Sequence, residues 1–205
     1  MRGATLTQPR RSPPAPPGPG KSPAEQRCHA PSPSPKLARM EIAALPVDED
    51  QRLAALRRYA ILDTPAEPAF DALTRATARA LDVPIALVSF VDLNRQWFKA
   101  KHGLEATETP REQAFCAHSI HDREIMEVFD AATDVRFAQN PLVTGAPNIR
   151  FYAGAPLTGP DGTAAGTLCV IDRIPRRLQP SQREALAALS RIATHLLEKR
   201  IQPAR

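Results

Sequence analysis

Features that mark secreted or membrane-spanning proteins are missing from this sequence. Only three cysteines occur, Cys28, Cys116 and Cys169, and so small and odd a set is a poor disulfide framework. No run of about 18 apolar residues is present to span a bilayer, and no apolar stretch follows Arg10-Arg11 to complete a secretion signal. We therefore expect a cytoplasmic protein with reduced thiols and no membrane partner.

Several motifs that reveal enzymes are also missing. The sequence has no glycine-rich phosphate loop, no pair of catalytic carboxylates and no nucleophile elbow. No residue is therefore predicted to be catalytic, and a binding role is favoured over an enzymatic one.

Positive charge is concentrated in the first 40 residues, which also hold ten of the 22 prolines. This segment has seven Lys or Arg and a single acid, Glu25, whereas the other 165 residues have 20 basic and 21 acidic groups. A proline-rich segment with little apolar surface cannot offset the entropy of ordering, so residues 1–40 are predicted to be a disordered tail. The near-neutral remainder offers no basic face, and nucleic acid is not an expected partner.

Helix and strand patterns begin at Asp48. Asp48, with Gln51 at the capping-box position, predicts the start of a first helix, and residues 67–81 repeat apolar positions at helical spacing. A helical turn is expected over residues 134–140, ended by Pro141, and a long amphipathic helix closes the sequence. Five strands are predicted, at residues 85–91, 96–100, 127–131, 150–157 and 165–171.

This order of elements predicts an α+β fold over residues 48–201, in which one mostly antiparallel sheet lies between two helical layers. The two opening helices and the closing helix are expected to cover one face. The irregular segments 103–126 and 132–149 would cover the other face. Irregular, polar layers over a sheet are where small-molecule pockets form.

A series of short motifs runs through residues 48–200. The motifs are Ile61-Leu62-Asp63-Thr64-Pro65, Arg95-Gln96-Trp97-Phe98-Lys99, Pro110-Arg111, Phe115-Cys116-Ala117-His118, Asp134-Val135-Arg136-Phe137, Asn140-Pro141-Leu142-Val143, Arg150-Phe151-Tyr152-Ala153-Gly154 and Gly166-Thr167-Leu168-Cys169-Val170-Ile171-Asp172. In this order they resemble a bacterial subfamily of GAF domains that usually lies upstream of sensor histidine kinases and diguanylate cyclases. The resemblance implies a GAF/PAS-like sheet between helical layers, a small-molecule ligand such as a cyclic nucleotide, bilin or haem, and frequent dimerisation.

The resemblance also predicts a function in signalling. No kinase, cyclase or DNA-binding segment follows the closing helix in this sequence, so we expect a stand-alone sensory module whose output passes to a kinase or cyclase in trans. Apolar positions left over on the closing helix predict a homodimer. The ligand and any cofactor stay unassigned. A dimerisation module without a ligand is the structural alternative.

Three arginines, Arg111, Arg136 and Arg150, lie in motifs beside aromatic or apolar residues. In a near-neutral domain these arginines would bind a carboxylate or phosphate ligand through bidentate hydrogen bonds. Arg150 and Tyr152 share one face of a strand, because side chains alternate. The alternative is that acids such as Asp134 and Asp92 pair with these arginines and pin loops to the sheet. The predicted ligand-binding residues are Arg111, Phe115, Cys116, His118, Asp134, Arg136, Arg150 and Tyr152.

Cys116, His118 and His121 form a C-x-H-x-x-H string with three interpretations. Thiolate and imidazole suit a metal or haem, but no second cluster supplies a fourth ligand, so no metal is predicted. Cys116 would instead be the nucleophile of a redox enzyme similar to the free methionine sulfoxide reductases of the GAF class, if Cys169 resolves it. In the simplest interpretation, Cys116 packs inward and Cys169 is an inert buried thiol.

Overall fold

Residues 40–201 are described by the structure, which is a computed structural model. The tail predicted over residues 1–40 lies outside these residues, except for Met40. The described part contains one antiparallel sheet of six strands, β1 (Ile85–Val91), β2 (Arg95–His102), β3 (Glu108–Pro110), β4 (Met126–Val128), β5 (Phe151–Thr158) and β6 (Ala164–Asp172). Their order across the sheet is β3-β2-β1-β6-β5-β4.

Two helical layers cover the two faces of this sheet. The α-helices are α1 (Glu49–Arg58), α2 (Pro68–Leu81), α3 (Phe115–Ser119), α4 (Pro141–Thr144) and α5 (Pro180–Glu198). One hydrophobic core packs α1, α2 and α5 against the first face, and a second core packs α3, α4 and the loops against the other. The predicted α+β sandwich is therefore confirmed. Within residues 40–201, no helix combines the length and the apolar character needed to cross a bilayer.

Side-chain alternation divides the strands between these two cores. In β2, Trp97 packs in the first core and the adjacent Phe98 in the second. In β5, Phe151 and Ala153 face the first core, whereas Tyr152 faces the irregular second layer. Tyr152 therefore lies on the face where the sequence predicts a pocket.

Three local predictions differ from the structure. Strand β3 lies within a segment predicted to be a loop, because three residues are too few to show alternation. The strand predicted at residues 127–131 is β4, which ends at Val128. The hydrogen-bonded turn predicted over residues 134–140 is present, but Pro141 after it begins α4, a helix that was not predicted. The Asn140 side chain accepts a hydrogen bond from the Leu142 amide at 2.9 Å, and proline suits the first helical position because its missing N–H is not needed there.

Helix α1 begins without the predicted capping box. The Asp48 side chain makes no hydrogen bond at the N-cap. The neighbouring Glu49 carboxylate instead accepts two hydrogen bonds from Arg52, at 2.6 and 2.8 Å. This pair leaves the Glu49 carboxylate buried, where it can meet a third residue from across the fold.

Candidate functional site

A recess of about 310 Å³ lies between the second face of the sheet and the loop layer. Its size falls at the small end of the range typical for ligand pockets. The mouth is bordered by residues 103–106, which follow β2, and by Arg173, which follows β6. The interior is mostly apolar and includes Leu87, Phe98, Phe115, Cys116, Tyr152 and Cys169.

The Cys116 sulfur, on α3, is the point where three strands meet the layer above them. Thr167 Oγ1 lies 2.9 Å from Cys116 Sγ, and Ser89 Oγ and the Tyr152 hydroxyl each lie 3.3 Å from it. Cys169 Sγ is 3.8 Å away. The three hydroxyls come from β6, β1 and β5, and each has a hydrogen to donate. Hydroxyl donors around a sulfur stabilise its negative charge.

These contacts separate the acidities of the two thiols. Burial raises the pKa of Cys116, but hydrogen bonds from Cys169, Ser89, Thr167 and Tyr152 outweigh burial and bring that pKa from 9.0 down to about 7. Cys169 donates to Cys116 and is itself buried, and both effects raise its pKa. Burial and the nearby charge of Cys116 also raise the pKa of Tyr152. Cys116 is therefore the more acidic thiol of the pair.

Gly154 makes room for the Tyr152 ring. The two residues share one face of β5, and a Cβ on Gly154 would lie 2.2 Å from the Tyr152 hydroxyl oxygen. The Phe115 ring centroid lies 5.2 Å from that of Tyr152 and 4.0 Å from that of Phe137, on which it stacks. This aromatic cluster holds α3 against β5, and any side chain at position 154 would displace the tyrosine.

Two polar atoms beside the recess lack hydrogen-bond partners among the described residues. These are the side-chain oxygen of Gln96, which is 5% exposed, and the hydroxyl of Thr109. At the mouth, Arg173 Nε donates to the Pro147 carbonyl at 3.1 Å, while its two terminal nitrogens make no hydrogen bond within residues 40–201. The recess therefore suits an apolar ligand with a hydrogen-bond donor for Gln96 and an acidic group for Arg173.

Three of the eight residues predicted to contact a ligand line this recess: Phe115, Cys116 and Tyr152. The other five lie outside its lining. Their ligand contact stays a prediction, and their observed contacts are with other parts of the protein.

Asp134 and Arg136 form a bidentate ion pair near α3. Arg136 Nε and Nη2 donate to the two Asp134 carboxylate oxygens at 2.9 and 2.7 Å. Burial and the positive charge of Arg136 lower the pKa of the nearby His118 from 6.5, which favours the neutral imidazole at pH 7. The pair thus stabilises the loop before α4 and is satisfied without a ligand.

Arg111 and Arg150 fix loops to the frame of the fold. Arg111 Nη1 donates to the Glu49 carboxylate and, at 3.0 Å, to the Asp92 carbonyl. Arg150 Nη1 donates to the carbonyls of Val143 and Ile149, both at 3.0 Å. These contacts match the pinning alternative, with a correction to the partners: Arg111 uses Glu49 rather than an aspartate carboxylate, and Arg150 uses backbone oxygens.

The C-x-H-x-x-H string does not converge on one point. Cys116 faces the sheet, whereas the His118 ring packs edge-on against Phe137 at 4.8 Å between centroids. His121 Nε2 hydrogen bonds with the Ala44 carbonyl oxygen at 2.9 Å. In the part of the chain that the structure describes, no three or more His, Cys, Asp or Glu side chains are grouped to hold a metal ion.

Sequence reasoning missed Ser89, Thr167 and Gln96 as site residues and left Cys169 open between a resolving thiol and an inert buried one. One signal was available for the first two. Ser89 and Thr167 are polar residues in the middle of apolar strands, and buried hydroxyls need hydrogen-bond partners. The cross-strand register that places Ser89 opposite Thr167 is not visible in the sequence.

Solved structures with a similar architecture include GAF domains. The GAF domain of a phosphoenolpyruvate-protein phosphotransferase from Acinetobacter aligns with a TM-score of 0.52 and 17% identity, covering 73% of this chain and 94% of that one. A type II free methionine-R-sulfoxide reductase from Thermoplasma acidophilum aligns with a TM-score of 0.51 and 10% identity, covering 64% and 93%. At these identities the likeness defines the fold: a GAF-type α+β sandwich.

The family model for the GAF domain matches residues 65–196, and the chain belongs to the GAF domain family. A cyclic di-GMP phosphodiesterase from Pseudomonas aeruginosa is 46% identical over 131 residues, which are 64% of this chain. The chain spans 22% of the length of that relative. The match therefore relates this GAF domain to a segment of a larger signalling enzyme.

The lowered pKa of the buried Glu49 predicts how the free energy of unfolding depends on pH. Burial raises the pKa of Glu49, but hydrogen bonds from Arg52 and Arg111 outweigh burial and bring it from 4.5 to about 2. A lowered pKa contributes stability that is present above pH 4.5 and is lost as the pH falls toward 2. We predict that Glu49→Gln lowers the free energy of unfolding at pH 7 by about 3 kcal/mol, measured by urea unfolding.

The matched control is Asp50→Asn, since Asp50 is the exposed neighbour of Glu49. Its free energy of unfolding should stay within about 0.5 kcal/mol of the parent protein. An unchanged fall in stability below pH 4.5 in Glu49→Gln would contradict the assignment, because that variant has no carboxyl to titrate there.

Proposed function

We propose that this GAF domain is a sensory and regulatory module that binds a small ligand in the recess beside Tyr152 and passes the signal to a partner. The observation that carries the proposal is the recess itself, open at its mouth and mostly apolar within. Unpaired polar atoms of Gln96 and Thr109 lie along it. Such convergence of a few polar groups on an apolar cavity is typical of ligand sites.

Hydrogen bonds at both ends of α5 join this helix to other elements of the domain. The Leu178 amide, just before α5, donates to the Glu127 carboxylate of β4 at 2.9 Å. Beyond the other end of α5, Arg200 donates to the carbonyls of Tyr59 and Ala60, at 3.1 and 2.9 Å. A ligand that favours one placement of the loop layer would bias the position of α5 through the sheet it rests on.

The proposed partner is a signalling enzyme, either a histidine kinase or an enzyme of cyclic di-GMP turnover. The second class is supported by the Pseudomonas phosphodiesterase, of which this chain resembles one segment. A homodimer is part of the proposal, since α5 leaves Ile192 half exposed beside its buried stripe. We also propose a cytoplasmic location, where the thiols of Cys116 and Cys169 would stay reduced.

Blocking the mouth of the recess tests ligand binding. Ala106 is exposed at the mouth, so Ala106→Trp should leave the fold intact and close the entrance. We predict that full-length protein purified from its native host carries small-molecule mass by native mass spectrometry, or binds benzoate or indole-3-carboxylate with amide shifts confined to the recess. Ala106→Trp should lose this binding.

The matched control is Ala132→Trp, because Ala132 is equally exposed and lies outside the recess. It should bind as the parent protein does. The sensing proposal is wrong if the parent carries no bound mass and shows no shifts with either acid, or if Ala106→Trp and Ala132→Trp behave alike.

A redox enzyme of the free methionine sulfoxide reductase kind is a second candidate. The 3.8 Å separation of the Cys116 and Cys169 sulfurs favours it, since such chemistry needs an attacking and a resolving thiol in contact. The candidate predicts thioredoxin-coupled turnover of free methionine sulfoxide that Cys116→Ser abolishes. Turnover no greater than that of Cys116→Ser would reject it.

A further inference from the structure

Two buried thiols face each other inside the recess, and neither the proposed ligand nor the pinning contacts use them. Cys116 and Cys169 are 1% and 0% exposed, yet both residues line the cavity, so we expect a molecule small enough to enter it to reach them. Inert buried thiols lie among apolar groups. Here three hydroxyls and the partner thiol surround Cys116 Sγ instead.

We propose that Cys116 and Cys169 form a reversible disulfide when a hydroperoxide enters the recess. The Cys116 thiolate attacks one peroxide oxygen, so that an S–O bond forms and the O–O bond breaks. The departing oxygen takes a proton and leaves as water or an alcohol. Cys116 becomes a sulfenic acid, its sulfur oxidised by two electrons while the peroxide is reduced by two.

Cys169 completes the reaction. Its sulfur attacks the Cys116 sulfenic acid, an S–S bond forms, the S–O bond breaks, and the hydroxyl leaves with the Cys169 proton as water. The two sulfurs are 3.8 Å apart, so they must approach each other by about 1.8 Å in total to reach disulfide length. Cys116 belongs to the five-residue α3, whereas Cys169 lies in the central strand β6, so we expect the movement to be made mainly from the α3 side.

Oxidation would also change the recess. The thiolate form of Cys116 accepts from Ser89, Tyr152 and Thr167, and a disulfide sulfur is a much weaker acceptor for those hydroxyls. The recess would thus be lined either by the two free cysteines or by the Cys116–Cys169 disulfide. The inference goes beyond the ligand-binding proposal and does not require it, and its oxidant differs from the sulfoxide of the redox-enzyme candidate.

The experiment uses the full chain with Cys28→Ser, so that Cys116 and Cys169 are the only thiols. The folded protein is treated with hydrogen peroxide, quenched with N-ethylmaleimide and analysed by mass spectrometry before and after digestion. We expect the loss of two hydrogens, a Cys116–Cys169 cross-linked peptide, and full recovery of both thiols with a phosphine reductant. Two thiols that stay free, or that oxidise only when the protein unfolds, would overturn the proposal.

Substitution of one cysteine at a time distinguishes the thiol that attacks the peroxide, Cys116, from the thiol that resolves the sulfenic acid, Cys169. With Cys169→Ser, dimedone should trap a sulfenic acid on Cys116. With Cys116→Ser, neither disulfide nor dimedone adduct should form. A dimedone adduct on Cys169 instead would reverse the assigned roles and contradict the mechanism.

The hydroxyl cluster supplies a kinetic test. Thr167→Val removes the shortest donor to Cys116 Sγ and should slow peroxide oxidation at pH 7 about tenfold, a loss expected for one hydrogen bond to a charged group. Thr167→Ser should restore the rate. Thr77→Val, which changes an equally buried threonine in the other core, should leave it unchanged. Equal rates in Thr167→Val and the parent would contradict the role of the cluster. These thiol measurements do not depend on native-ligand binding, so either proposal can fail alone.

Discussion

The hydrogen bonds that meet at the Cys116 sulfur are the constraint on which the recess depends. They tie α3 to β1, β5 and β6 at once, because Ser89, Tyr152 and Thr167 each come from a different strand. The sulfur is held through a side chain only one carbon long, which fixes the distance between sheet and loop layer. The space left beside this contact is the recess. The same hydrogen bonds lower the pKa of Cys116, so one set of contacts both positions α3 on the sheet and makes Cys116 the more acidic thiol.

Three arginines hold the loop layer in place through ion pairs and hydrogen bonds to backbone carbonyls. Arg111 forms an ion pair with Glu49 of α1, and Arg136 forms one with Asp134. Arg150 donates to the Val143 carbonyl of α4. Removal of one partner from a buried pair leaves the other charge uncompensated, which favours the single arrangement of the loops in which the pairs are made. The recess itself is mostly apolar, and the buried side-chain oxygen of Gln96 beside it has no hydrogen-bond partner among the described residues.

The sequence predicts the layers of this fold better than it predicts the site. Side chains alternate along any strand, so the predicted strand places Tyr152 on the face opposite Phe151 and Ala153, and the apolar stripe of the closing helix predicts which of its sides is buried. Short elements such as β3 carry too few residues to show a period. The partner of Arg111 depends on a contact with Glu49, far away in the sequence, whereas Arg136 pairs with Asp134 only two residues away. The Cys116–Cys169 pair depends on the placement of α3 over β6, which no local pattern encodes.

Alkylation of the folded protein tests most directly whether Cys116 is a reactive thiol inside an open recess. The full chain with Cys28→Ser would be exposed to iodoacetamide in native buffer, and each cysteine followed by mass spectrometry. We predict that Cys116 is carboxamidomethylated faster than the protein unfolds, while Cys169 stays unmodified. Modification of both cysteines together, at the rate of global unfolding, would contradict the account.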